Sequence, residues 1–335
     1  MTILDHFDRT PLGFLPTPLE PLDRLSEQFG GPRLWIKRDD CTGLATGGNK
    51  TRKLEYLMAD ARKSGANTVI TFGALQSNHA RQTAAACAKL DFDCHLILTR
   101  RVAWSHPDIE RGGNVLLDHL LGAQTHLCEP NAAEITLRRL VENLDRQGKR
   151  CYIVPTGGSN AIGALGYLRC AHELLQQCND HGFVPDAIVH ATSSGGTQAG
   201  LVAGLASLGA TARVLGINVY DRDHARITRR VSQLLADTLT KVGVSDRPIP
   251  PLEIDHRFLG EDYGLPTQQT IDAISLIARR EGILLDPVYS GKAFSGLIAL
   301  LASKELDASR NVVFIHTGGS ASLPVYVDAF QTDQR

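Results

Sequence analysis

AIVHATSSGGTQAGLVAGLASL, residues 187–208, runs from a short apolar stretch through Ser193-Ser194-Gly195-Gly196-Thr197 into a helical pattern over Gln198–Leu208. The apolar stretch lacks polar alternation, as a strand buried on both faces should. The same rhythm recurs in LWIK (34–37), NTVITF (67–72), CHLILT (94–99), CYIVP (151–155), RVLGINV (213–219) and NVVFIHT (311–317). Helical patterns lie between these runs. In Thr51–Lys63, Leu54, Leu57, Met58 and Ala61 form one apolar stripe. Ser77–Leu90, Ala132–Gln147, Asn160–Gln177 and Thr267–Arg280 read likewise. Alternation of strands and helices predicts an α/β fold of parallel sheets covered by helices. The irregular stretch 241–266 reads as a long surface connection.

At 335 residues the chain exceeds what one hydrophobic core fills, so two domains are expected. Lys+Arg total 35 against Asp+Glu 36, a balance that argues against a nucleic-acid binder or a polybasic membrane anchor. No apolar run approaches the ~20 residues that cross a bilayer. The first residues lack the basic flank and apolar core of a signal peptide. Seven cysteines without a CxxC pair point to neither a disulfide framework nor a zinc knuckle, so no metal and a cytoplasmic location are expected.

Ligands of parallel sheets bind where strands end and helices begin. Gly- and Ser-rich turns stand at such places: TGLATGGNK (42–50), GALQSNH (73–79), TGGSN (156–160), TSSGGTQAG (192–200) and HTGGSAS (316–322). Residues 193–200 open a helix with unshielded backbone N–H groups and hydroxyls, which is a phosphate cradle. GxGxxG occurs nowhere, which leaves a dinucleotide without its fingerprint. A Walker A reading of Gly43–Thr51 fails because Asn49 intervenes before Lys50. Lys50 opens the helix 51–63, where the helix dipole disfavours an ammonium, so it reads as a nucleophile for carbonyls. One phosphate cradle and one primed lysine suggest pyridoxal 5′-phosphate.

KRDDCTGLATGGNKTRKLEYL, GALQSNHARQTAA, PTGGSNAIGALGY, SSGGTQAGLVAGL, EGILLDPVYSGKAFSGL and FIHTGGSASL together resemble the pyridoxal-phosphate family that holds D-cysteine desulfhydrase, L-cysteate sulfo-lyase and 1-aminocyclopropane-1-carboxylate (ACC) deaminase. The resemblance spans residues 8–327 and implies the two-domain fold of the tryptophan synthase β-subunit class. By analogy, residues 1–54 plus 161–335 form a large cofactor domain and residues 55–160 a small inserted one. The resemblance makes Lys50 the Schiff-base lysine and afterwards the base at Cα. It assigns Ser194, Gly195, Gly196 and Thr197 to the phosphate, with Lys53 as a second contact. Asn78 meets the ring hydroxyl. Gln76, Ser77, Asn78, His79 and Ser159 line the substrate's side. Tyr289 packs by the ring, Tyr263 is a second active-site tyrosine, and Thr317 closes the pocket. Ser77 and Tyr263 stand as further catalytic candidates that relay protons.

After PVY the deaminase branch carries a glutamate facing the pyridine nitrogen, where this chain has Ser290. A hydroxyl should leave that nitrogen neutral and favour loss of a β-substituent, giving pyruvate and ammonia. Arg100, Arg101 and Arg111, with Arg222 and Arg226, sit near strand ends and suggest an anionic substituent. The expectation is therefore L-cysteate sulfo-lyase, releasing sulfite, with D-cysteine desulfhydrase as the alternative. ACC deaminase and a noncatalytic binder of small anions rank behind. A small amino acid as substrate and a homodimer or other homo-oligomer complete what the resemblance implies.

Overall fold

The computed structural model describes residues 3–331. Its strands are β1 (Leu19–Pro21), β2 (Arg33–Lys37), β3 (Thr68–Ala74), β4 (Asp93–Thr99), β5 (Gln124–Cys128), β6 (Cys151–Ile153), β7 (Ala187–Thr192), β8 (Arg213–Asn218), β9 (Leu252–Asp255) and β10 (Asn311–Ile315). Its helices are α1 (Asp23–Phe29), α2 (Lys50–Lys63), α3 (Asn78–Leu90), α4 (Gly113–Leu120), α5 (Ala133–Arg146), α6 (Ala161–Asp180), α7 (Gly196–Leu208), α8 (His224–Val242), α9 (Gln268–Glu281) and α10 (Ser290–Ala302). The strands form two sheets, ordered β1-β2-β10-β7-β8-β9 and β5-β4-β3-β6. Every pairing is parallel except β1 with β2.

Burial on both faces explains why the central strands read as unbroken apolar runs. Along β10, Val313 and Ile315 enter the core packed by α6 and α7, while Val312 and Phe314 enter the core packed by α9 and α10. The small sheet repeats the pattern. Val69, Leu96 and Leu98 pack on α2 and α3, whereas Ile70 and Ile97 pack on Leu140 and Leu144 of α5. The three strands without a sequence signal, β1, β5 and β9, are all at sheet edges. One of them, β9, lies inside the stretch expected to be a mere connection, and pairs with β8.

A buried ionic cluster fixes the start of α2. Arg52 donates to both Asp39 oxygens at 2.8 and 2.9 Å and to both Glu173 oxygens at 2.8 and 2.9 Å. Lys37 donates to Glu173 at 2.5 Å, and the Tyr167 hydroxyl to Asp39 at 2.5 Å. Burial alone would push the Asp39 carboxyl up, but Arg52 and Lys37 hold it below the usual carboxylate range. The cluster ties α2 to α6 and to the end of β2.

The small sheet draws on residues 68–153, and the large sheet on residues 19–37 and 187–315. We propose 55–160 and 1–54 plus 161–335 as the domain organisation, supported by that membership. The carboxyl ends of β3, β4, β7, β8 and β10 open on one cleft of about 270 Å³. No described helix is long and apolar enough to cross a membrane, and none of the seven cysteines is disulfide-bonded.

Candidate active site

Lys50 is the first residue of α2, and the loop before it is built to put it there. A side chain at Gly47, whose φ is +77°, would place its Cβ 2.0 Å from the Asp40 carbonyl oxygen, so only glycine fits. Gly48 N donates to Thr42 Oγ1 at 2.7 Å, and Thr51 N donates to Gln82 Oε1 at 2.9 Å. The Lys50 ammonium donates to Asn49 Oδ1 at 2.8 Å, and Asn49 Nδ2 donates to Thr197 Oγ1 at 3.1 Å. That chain joins the lysine to the Ser/Gly turn after β7. Burial lowers the Lys50 amine from 10.5 to about 8, with Arg81 lowering it further and Asp286 opposing. Burial, rather than the helix terminus invoked from sequence, is the main cause.

The turn Ser193–Thr197 heads α7, with Gly195 in the left-handed region at φ +89°. Ser194 Oγ and Ser159 Oγ are 2.7 Å apart, and Gly196 N donates to Ser159 Oγ at 3.2 Å. Lys53 Nζ lies beneath, donating to Gly157 O at 3.2 Å and Ser159 Oγ at 3.1 Å. A Cβ on Gly196 would stand 2.6 Å from Ser159 Oγ and 2.9 Å from Lys53 Nζ. Burial and the nearby Lys50 hold Lys53 well below its ordinary value. Helix N–H groups, the hydroxyls of Ser159, Ser194 and Thr197, and Lys53 make a donor set suited to a phosphate.

On the opposite wall, Ser77 caps α3 by accepting from Ala80 N at 3.1 Å. Asn78 and His79 follow it, and both line the cleft. Thr71 Oγ1 donates to Val154 O at 2.8 Å and meets His79 Nε2 at 2.8 Å. With its own proton committed, Thr71 must accept from Nε2–H, which leaves Nδ1 as a buried acceptor without a partner among the described residues. Burial, then Lys50 and Lys53, keep this imidazole neutral. The Tyr263 and Tyr289 hydroxyls hydrogen-bond each other across the cleft mouth. Burial pushes Tyr263 up to about 12 and Tyr289 well above 10, so both phenols keep their protons. Thr317 lies at the floor, its carbonyl accepting from Asn49 N at 3.0 Å.

Gln76, Ser159 and Ser290 do not line the cleft. Gln76 is spent on the loop before α4, donating to Ile109 O at 2.8 Å and Gly112 O at 3.0 Å and accepting from Asn114 N at 2.9 Å. Ser159 supports the turn 193–197 from behind. Ser290 is fully buried, donating to Asp286 Oδ1 at 2.6 Å and accepting from Asp286 N at 2.8 Å. With its proton committed to Asp286, Ser290 can offer a ring nitrogen only a lone pair.

Arg101, Tyr220, Asn49 and Thr192 also line the cleft. Of these, only Arg101 was singled out from sequence, because the others sit in segments with no Gly-rich motif or at the edge of one.

The family model described as pyridoxal-phosphate dependent enzyme matches residues 11–318. D-cysteine desulfhydrases of Serratia proteamaculans (strain 568) and Klebsiella pneumoniae (strain 342) are each 41% identical to this chain, over 96% of it and 97% of the relative. The crystal structure of an ACC deaminase homologue superposes with a TM-score of 0.87 at 37% identity, covering 98% of this chain and 97% of the other. A fungal L-serine ammonia-lyase from Rhizomucor miehei, at 19% identity and a TM-score of 0.69, shares the fold. The chain belongs to the pyridoxal-phosphate dependent enzymes of this α/β fold. It is a lyase that uses pyridoxal phosphate, and the donor set around Lys50, Lys53 and residues 193–197 fits that group.

Proposed function

We propose that this enzyme breaks the carbon–sulfur bond of a cysteine-type amino acid, with D-cysteine as substrate, sulfide as the leaving group, and pyruvate and ammonia formed when water hydrolyses the unsaturated amino acid that remains. The observation that carries this reading is the pairing in one cleft of a base and two proton donors, Lys50 and the phenols of Tyr263 and Tyr289. The D-cysteine desulfhydrases that match nearly the whole chain support it.

In this reading Lys50, Lys53 and the turn 193–197 hold pyridoxal phosphate, with Thr197 and Asn49 linking the two ends. When bound, the cofactor supplies an electron-accepting ring that acidifies the substrate's Cα–H bond. Lys50 Nζ takes that proton, which an amine near neutrality can do. Ser77 and the α3 N-terminus bind the substrate carboxylate through aimed donors. His79 holds its neutral face toward the same region. The Cβ–S bond then breaks with its electron pair on sulfur, and a protonated phenol of Tyr263 or Tyr289 stands ready to donate to it. The homo-oligomer implied by the resemblance belongs to the same proposal, with sedimentation as its test.

A second reading, sulfite release from cysteate, is favoured by one observation. Most of the flanking arginines are neutralised: Arg100 by Glu110 at 2.7 Å, Arg111 by Asp108 at 2.6 Å and Arg226 by Asp221 at 2.6 Å. Arg101 is different. Its guanidinium lies 4.5 Å from the Tyr220 ring and 5.6 Å from the Tyr263 ring at the cleft mouth, with no carboxylate partner among the described residues. A fixed cation there suits a sulfonate. Parallel assays of sulfide, sulfite and ammonia on D-cysteine, L-cysteate and aminocyclopropane carboxylate decide the matter. Sulfide from D-cysteine supports the first reading. Sulfite as the dominant product supports the second, and release of neither overturns both.

A further inference from the structure

Asn78 lines the cleft, yet its side-chain carbonyl is turned away from it. That oxygen accepts from Arg81 Nη1 at 3.0 Å and from Asn114 Nδ2 at 3.0 Å, which fills both lone pairs. The two donors are themselves bound from behind. Arg81 Nη1 also donates to Asn114 Oδ1 at 2.7 Å, and Nη2 donates to Gly47 O at 2.7 Å, three residues before Lys50. Asn114 Nδ2 also donates to Gln76 O at 3.0 Å. Arg81 and Asn114 are both fully buried, so neither can swing out to water. Turning the Asn78 amide over would set its NH₂ against two N–H donors and strand the arginine, a loss that burial makes severe. The network therefore assigns the amide orientation. Toward the cleft Asn78 can present only N–H.

We propose that Asn114 of α4, with Arg81 of α3, is a positioning residue that locks Asn78 as a hydrogen-bond donor for an anionic oxygen on the cofactor ring. Asn114 is buried and does not line the cleft. It acts by denying Asn78 its other orientation. The inference is independent of which group leaves the substrate.

The test is the visible absorption of the holoenzyme against pH, with the dissociation constant of pyridoxal phosphate from the apoprotein. Asn114→Asp keeps an acceptor for Arg81 but replaces the donor to Asn78 with a second acceptor. We expect its absorption midpoint to move by about one pH unit and cofactor binding to weaken by about tenfold. Asn78→Ala should show the same changes, and the double variant should add nothing to either, because one contact is being removed twice. A wild-type spectrum and affinity in Asn114→Asp would overturn the proposal. So would shifts that simply add in the double variant. A lower melting temperature with an unmoved spectrum would mean that Asn114 is merely structural, which also overturns it.

Discussion

The amine of Lys50 should titrate near pH 8, and this can be read from how fast the apoprotein captures its cofactor. The fall from 10.5 to about 8 corresponds to roughly 3 kcal/mol in favour of the neutral amine. At pH 7 that leaves about one molecule in ten with a nucleophilic Lys50, against about one in three thousand for an ordinary lysine. Only the neutral amine attacks a carbonyl. Stopped-flow absorbance after mixing apoprotein with pyridoxal phosphate should therefore show a rate that rises about tenfold between pH 7 and 9 and then levels off. An ordinary lysine would give about a hundredfold rise with no plateau by pH 9. The sign follows from the cause: burial penalises the ammonium, so the reactive form appears at lower pH. A hundredfold, unsaturating rise would refute the claim that burial primes Lys50.

Further expectations concern the cradle, the anchor and the phenols. Gly196→Ala sets a methyl 2.6 Å from Ser159 Oγ and 2.9 Å from Lys53 Nζ, and should weaken cofactor binding by about tenfold or more in a fluorescence titration. Asp39→Asn leaves Arg52 short of its buried partner and should cost about 3–5 kcal/mol in a denaturant unfolding curve. Because Arg52 and Lys37 hold the Asp39 carboxyl down, its contribution is full above the ordinary carboxylate range and is lost as pH falls through the depressed value. The wild-type protein should lose stability on acidification more steeply than Asp39→Asn, and equal slopes would contradict this. Tyr263→Phe should lower kcat by about a hundredfold or more while leaving cofactor affinity unchanged; an unchanged kcat would remove Tyr263 from the proton relay.

What could be read from sequence was what is local. The strand-to-helix turns at 42–50, 73–79 and 192–200 carry glycine and hydroxyls in consecutive positions, because one short segment has to make the whole cradle. Central strands betrayed themselves by apolar residues on both faces. β1, β5 and β9 did not, since an edge strand such as QTHLC in β5 is half solvated and mixes polar residues with apolar ones. The orientation of Asn78 was illegible for another reason. It depends on Asn114, 36 positions away, and on the return of α4 to the end of β3. At Ser290 the obstacle is local: its partner Asp286 is only four residues upstream, but only the folded turn shows that the hydroxyl donates to it. The flanking arginines looked like an anion site because their nearby carboxylates, Glu110, Asp108 and Asp221, could not be paired with them from spacing alone.

Reduction of the holoenzyme with borohydride, followed by proteolysis and mass spectrometry, tests the central claim most directly. The account predicts a single pyridoxyl label on the peptide carrying Lys50, and none in Lys50→Ala. A label on Lys53, Lys292 or any other lysine, or its persistence in Lys50→Ala, would contradict it.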